Sequence, residues 1–289
     1  MTRDRVAASY AHCRRVTRRA KSSFPLAFRL LPRPKRDGMT ALYAFLRLTD
    51  DLADEPGEPA AKRAALDRWR THLDDAARGV FAHRVHAALH DTVTRYAVPT
   101  AHLHAVIDGV AQDLEPRPFA TFADLYPYCY RVASAVGLAC VPIWGVRAGA
   151  DPAHVAAASE AAGIAFQLTN ILRDFGEDLT AGRVYLPAED FDRFRLTPTA
   201  CREPARRAEF LALMAFEAAR ARAFYAASTP LAGLLTPEGR RIFTGLSNLY
   251  RTLLARVERR AGDVLTERVR LPRATKAAVL VRAWWDRGA

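Results

Sequence analysis

The 289-residue sequence predicts an all-α fold. Alanine and leucine abound, runs of β-branched residues are few, and apolar residues recur at i, i+3 and i+4 along most of the chain. Hydrophobic residues make up 50% of the sequence, which excludes a disordered chain. The length accommodates a core and an internal cavity, and residues 1–289 are read as one domain.

Residues 5–21 read as a basic surface helix carrying Tyr10, Cys13 and Val16. Lys21-Ser22-Ser23-Phe24-Pro25 breaks the pattern, and Ser22 or Ser23 can cap a helix beginning near Pro25. A basic turn from Leu31 to Asp37 leads into a helix over about 37–54, which Pro56-Gly57 ends. Residues 60–78 form an amphipathic helix with Leu66, Trp69 and Leu73 inward. Residues 81–97 form another, holding His83, His86 and His90. His86 and His90 are four apart, but no carboxylate motif joins them, so they read as solvated surface. Pro99 opens the next helix, which runs to Leu114 and carries Asp108 and Asp113; these lie five apart, share no tight face, and read as supporting or structural groups. Phe122 to Gly137 is helical, with Tyr126, Tyr128 and Tyr130 followed by small residues. Asp151-Pro152 opens a long helix ending near Gly182. Arg183 to Pro187 is extended, residues 190–205 are a polar connection, and helices at about 205–228, 237–262 and 272–285 complete the chain.

Two of these helices carry polar stripes. At about 100° per residue, Gln167, Asn170, Asp174 and Asp178 fall at roughly 0°, −60°, −20° and +20°. Ile164, Leu168, Ile171, Leu172 and Phe175 fill the other faces, so this helix belongs inside a bundle. On the earlier helix Tyr43, Arg47, Asp50 and Asp54 cover an arc of about 60°, with Asp51 beside them. Like charges at that spacing repel, and burying them is costly without cations. Facing stripes of this kind suit a hard divalent metal carrying an anion, and Mg²⁺ keeps waters and bridges to phosphates; Mn²⁺ has the same oxygen preference. For the Asp50–Glu55 stretch, capping of a helix end is the alternative.

Lys and Arg number 43 against 31 Asp and Glu, a formal net charge of +12. Such a chain attracts polyanions, or simply carries an arginine-rich surface. No basic patch interleaved with aromatics and no recognised module points to nucleic acid. Cys13, Cys129, Cys140 and Cys201 lack metal-ligand spacing and read as reduced thiols of a cytoplasmic protein. No run of 18 apolar residues and no signal-peptide core is present in the sequence. The tail from Val279 to Trp285 is apolar with basic punctuation, fit either to dock on the body or to touch a membrane surface peripherally.

These stretches carry a family resemblance. Ala41-Leu42-Tyr43-Ala44-Phe45-Leu46-Arg47 leading into Asp50-Asp51-Leu52-Ala53-Asp54 resembles the first aspartate motif of the squalene/phytoene synthases. Gln167 to Asp178, with Gly182 to Pro187, resembles their second signature, and Tyr128 to Ser134 a third block. The similarity runs roughly from residue 8 to 280. It implies an isoprenoid-synthase-type helical bundle around a central cavity, and head-to-head joining of two prenyl diphosphates through a cyclopropyl diphosphate. It implies metal binding by Asp50, Asp54, Asp174 and Asp178, with Asp51, Asn170 and Gln167 close by. Arg47, Arg173, Arg183, Tyr185 and Arg268 match positions near the diphosphates, and Ser23 and Phe24 match a Ser-Phe pair at the pocket entrance. Some members place a histidine and a serine before that pair; here Ala20 and Lys21 stand there.

Two farnesyl diphosphates giving presqualene diphosphate or squalene is the first expectation, and two geranylgeranyl diphosphates giving phytoene the alternative. NADPH is needed only if squalene is the product. No glycine-rich dinucleotide fingerprint exists, but this family does not use one. Tyr43 and Tyr128, with Phe24 and Phe28, are the aromatic faces expected against a carbocation. Phe28 is expected to floor the cavity and favour C15 over C20 chains. The proton acceptor stays open between released diphosphate and a tyrosine. A non-catalytic assembly protein would be expected to lose aspartates, and here every metal position is filled. The oligomeric state is not legible.

Overall fold

The computed structural model describes residues 2–20 and 24–285. Fourteen α-helices follow one another among them: α1 (Arg3–Arg19), α2 (Phe24–Ala27), α3 (Arg33–Asp54), α4 (Pro59–Ala77), α5 (His86–Tyr96), α6 (Thr100–Gln112), α7 (Phe122–Cys129), α8 (Ala135–Trp144), α9 (Pro152–Thr180), α10 (Ala188–Arg193), α11 (Arg207–Ser228), α12 (Leu231–Leu234), α13 (Pro237–Arg259) and α14 (Arg273–Trp285). Among the described residues no strand forms; one isolated antiparallel bridge joins Val146 to Leu235.

Helix α9 is the axis of the bundle. Asp151 caps it by accepting the Ala153 N–H at 2.9 Å, and Pro152 occupies its first turn, where a missing N–H costs nothing. It packs against α7, α8, α11 and α13. By length and composition alone α9 could cross a membrane, but 67% of its most apolar window is buried among those neighbours, as in a core helix.

Apolar burial forms two clusters. One surrounds α3 with residues of α1, α4, α5, α6 and α8, including Leu42, Phe45, Trp69, Leu103 and Ile143. The other surrounds the C-terminal half of α9 with α11 and α13, including Leu168, Leu172, Phe210, Tyr225 and Leu254. Phe24 and Phe166 pack against both. The aspartate-bearing helix α3 belongs to the first cluster. Helix α9 runs from the first cluster, with Val155, Ala158 and Ala162, into the second, which surrounds its aspartate-bearing half.

Between α7 and α8 the chain makes a π-turn, Tyr130–Ser134, where a continuous helix was expected. Two glycines permit its close packing. A Cβ on Gly109 of α6 would stand 2.7 Å from Val132 Cγ1, and one on Gly163 of α9 would stand 2.5 Å from the Ser134 nitrogen. Other expectations are corrected as well. The helix expected over 81–97 begins only at His86, leaving His83 in the preceding turn. His86 is not solvated but fully buried, with its ring 5.1 Å from Trp69 and 5.7 Å from His83. The helix near Pro25 is a single turn continued by a 3₁₀ turn, and 190–205 contains the end of α10 rather than only irregular chain. The four cysteines are buried free thiols. Ser22 and Ser23 lie outside the described residues.

Candidate active site

Helical periodicity gathers each stripe on one face of its helix. On α3, Arg47 forms an ion pair with Asp51 one turn on. Burial lifts the Asp50 carboxyl to about 7; Arg47 opposes this, and Asp54, Asp51 and Asp113 reinforce it. On α9, Asp174 is held by two guanidinium groups. Arg173 Nε donates to Oδ1 at 2.7 Å, and its other arm pairs with Oδ2. Arg268, which follows α13, reaches back with Nε 2.7 Å from Oδ1 and an Nη 2.9 Å from Oδ2. Arg183 Nη2 lies 3.0 Å from Asp178 Oδ1. The Asp178 carboxyl is pushed up by burial, with Arg183 opposing. Asn170 donates to Gln167 Oε1 at 3.3 Å, while its own Oδ1 is buried without a hydrogen-bond donor.

Asp113, at the end of α6, connects the two stripes. Its charge is felt by Asp50 on α3, and it feels Asp178 and Arg183 in turn. Each of its oxygens accepts a phenolic proton, from Tyr128 and from Tyr185, both at 3.1 Å. The two phenol rings stack at 5.2 Å, tilted 21°. Burial raises the Asp113 pKa, and the two phenols lower it. Sequence spacing could not reveal this group, because its partners stand 15 and 72 residues away. Asp108, its apparent companion, faces elsewhere and pairs with Arg70.

Aromatic side chains also pack on these helices. Phe28 meets Tyr43 edge-on at 5.9 Å, Phe24 lies 5.9 Å from Tyr250, and Tyr250 stacks on Phe166 at 4.4 Å. Tyr250 and Phe166 carry no motif and were not singled out from the sequence. Asp113, Tyr128, Tyr185 and Arg183 also line a cavity of about 350 Å³ whose apolar wall is formed by Phe119, Leu186, Phe191 and Leu196; no stripe aspartate lines it.

Among the described residues no three His, Cys, Asp or Glu side chains are already gathered as a metal-binding group. Asp51, Asp174 and Asp178 are paired with arginines instead. The donor set nevertheless fits a hard cation. It consists of carboxylates and one amide oxygen, and Asn170 Oδ1 is a buried acceptor with no donor.

Two carboxylate-bearing helices with an arginine fringe and packed aromatic rings, in an all-α bundle, define the isoprenoid-synthase class of helical folds. The comparisons specify the family. The sequence model of the squalene/phytoene synthases matches residues 17–275, and the chain belongs to that family of prenyl-transferring enzymes. It is 35% identical over 272 residues to 15-cis-phytoene synthase of Synechococcus elongatus, covering 91% of this chain and 88% of that protein. It is 35% identical over 281 residues to phytoene synthase 3 of Zea mays, covering 96% of this chain and 66% of the maize protein. Among solved structures, a dehydrosqualene synthase in complex with ligand aligns with a TM-score of 0.86 at 30% identity over 96% of both chains. The squalene synthase HpnC of Alicyclobacillus acidocaldarius aligns with a TM-score of 0.81 at 28% identity, over 90% of this chain and 97% of the other.

Proposed function

We propose that the chain joins two farnesyl diphosphates head to head, forming presqualene diphosphate and, where NADPH supplies a hydride, squalene. The observation that carries this reading is that one carboxylate, Asp113, couples to Asp50 of the α3 stripe and to Asp178 of the α9 stripe. The Phe28–Tyr43 and Phe24–Tyr250–Phe166 rings pack on the same helices. Asp50, Asp54, Asn170, Asp174 and Asp178, with Asp51 beside them, would hold the divalent cations. When bound, Mg²⁺ or Mn²⁺ supplies positive charge that makes diphosphate a better leaving group.

The chain's own groups do the rest. Arg47, Arg173, Arg183 and Arg268 orient the diphosphate oxygens, Tyr185 holds the segment that carries Arg183 by donating to Asp113, and Gln167 braces Asn170. Phe24 stands at the entrance in this reading, and Ser23, its neighbour in sequence, is proposed as a substrate-binding residue. Heterolysis of the C–O bond leaves an allylic cation and diphosphate. Phe24, Phe28, Tyr43, Tyr128 and Tyr250 exclude water and offer ring faces worth about 1–2 kcal/mol each to the cation. The alkene of the second substrate attacks, and loss of a carbon-bound proton closes the cyclopropane. Released diphosphate, or a tyrosine, accepts that proton.

A C20 pair giving phytoene, with no NADPH, is the second reading. The phytoene synthases among the relatives favour it, and buried Phe28 against Tyr43 favours C15. Product analysis with Mg²⁺ and farnesyl or geranylgeranyl diphosphate, each with and without NADPH, separates them. C30 product supports the first and C40 product the second; no turnover of either refutes both.

An apolar product supports peripheral membrane contact by a cytoplasmic protein. The outer face of α14 exposes Ala274, Ala277, Ala278, Val281, Trp284 and Trp285, and Arg241 lies 5.7 Å from the Trp284 ring. Co-sedimentation with anionic vesicles should fall on Trp284→Ala/Trp285→Ala substitution; equal binding of the variant would refute this contact.

A further inference from the structure

Asp113 is an ionisable group that neither metal binding nor diphosphate binding uses. A carboxylate only accepts hydrogen bonds, and a phenol has one proton to give. Because Tyr128 donates to Oδ2 and Tyr185 to Oδ1, both phenolic protons are committed inward, toward Asp113. The phenol oxygens are thereby left with only lone pairs free. The stacked rings fix the second coordinate, since neither phenol can swing out while the other lies on it at 5.2 Å. Tyr128 is 4% exposed, so no bulk water competes for its proton. The cluster sits beside the aspartates, since Asp113 is sensed by Asp50 and itself senses Asp178 and Arg183. Tyr185 also belongs to the extended segment that carries Arg183, so the same carboxylate tethers that segment to α6.

We infer that Asp113 is a positioning residue that sets the direction of the Tyr128 and Tyr185 hydroxyls, keeping lone pairs rather than protons turned to the reacting cation. This rests on the reaction proposed above and deepens it. An oxygen lone pair favours an adjacent positive charge, and an O–H proton aimed the same way repels it. When the cation is poorly stabilised, water competes with the second alkene. Water oxygen then bonds to the allylic carbon, its proton passes to the released diphosphate, and a prenyl alcohol results.

Asp113→Asn tests the idea with almost no change of shape. The amide has one acceptor oxygen and an NH₂ donor, so only one phenol can still donate to it, and the other must accept and turn its proton outward. The assay follows steady-state turnover of farnesyl and geranylgeranyl diphosphate with Mg²⁺, separating coupled product from prenyl alcohol. The wild-type chain should give coupled product; if it gives none, the proposed function fails before Asp113 is tested. Relative to an active wild type, Asp113→Asn should keep KM and thermal midpoint and lose about 10- to 100-fold in kcat, the weight of one or two charge-assisted hydrogen bonds. A larger share of its turnover should end as alcohol. Tyr128→Phe should show the same partition, and the double variant should lose less than the two single losses multiplied, because Asp113 acts in part through the Tyr128 hydroxyl. Wild-type kcat and partition in Asp113→Asn, a rise in KM alone, or additive losses in the double variant would each overturn the inference. Should Asp113→Asn not fold, Tyr128→Phe and Tyr185→Phe decide. Diversion to alcohol in Tyr128→Phe supports the assignment, and a wild-type partition in both removes it.

Discussion

Phe28 is 3% exposed and meets Tyr43 edge-on, and we propose that its ring limits the length of prenyl chain the site accepts. Phe28→Ala should raise kcat/KM for geranylgeranyl diphosphate relative to farnesyl diphosphate by about 10-fold or more, since one methylene in an apolar pocket is already worth about 1–3 kcal/mol. An unchanged ratio in competition assays would remove Phe28 as a chain-length determinant. At this scale the sequence was informative wherever function follows helical period. Asp50, Asp54, Asp174 and Asp178 could be placed on two stripes because a helix brings i and i+4 together. Asp113, Tyr250 and Phe166 could not, because their partners come from distant segments and no spacing rule relates them.

Two elements of the fold meet closely because a side chain is missing. Gly163 lets α9 lie against the π-turn at Ser134, whose hydroxyl donates to the Glu160 carbonyl at 2.8 Å. Gly163→Ala should destabilise the fold by about 1–3 kcal/mol, as overpacking does, and lower the denaturation midpoint without changing its slope. Wild-type stability would mean that the two elements separate without cost. The π-turn itself was not legible. Its tyrosines and small residues satisfy an α-helical pattern, and the one-residue insertion is selected by packing against Gly109 and Gly163 rather than by local propensity. Element order and most boundaries were legible, since capping and proline signals such as Asp151-Pro152 act within one turn. The exceptions were the short turn near Pro25 and the start of α5, where buried Trp69 and His86 pack with half-buried His72 and His83.

The chain as a whole inherits an acid sensitivity from that group. Burial lowers the His86 pKa from 6.5 to about 4, with His83 and His72 adding to the effect and Asp75 opposing it. His83 and His12 are lowered in the same direction, with Arg84 and Arg15 among the facing cations. Unfolding frees His86 to bind a proton at ordinary values, so the unfolded chain holds more protons between pH 6.5 and about 4. Stability contributed by this site is complete above pH 6.5 and is lost as pH falls through that window. Urea denaturation at pH 7, 6 and 5 should show that decline, and His86→Phe should flatten it; equal slopes for both proteins would assign the acid loss elsewhere.

Arg173 and Arg268 on Asp174, Arg183 on Asp178 and Arg47 on Asp51 have a consequence for the order of loading. At rest Asp51, Asp174 and Asp178 are already matched by tethered cations, while among the described residues Asp50 and Asp54 have no arginine partner. Loading the three paired aspartates is therefore an exchange of partners rather than an addition of charge. Mg²⁺ arriving alone would have to evict arginines that then have no anion to receive them. Mg²⁺ arriving with diphosphate gives each displaced arginine a new partner. Calorimetric titration should find Mg²⁺ affinity raised about 5- to 150-fold by inorganic diphosphate, and diphosphate affinity raised by the same factor with Mg²⁺. Identical Mg²⁺ affinities with and without the anion would mean that the arginines do not compete. If they do, the resting cleft discriminates against either component alone and admits the pair.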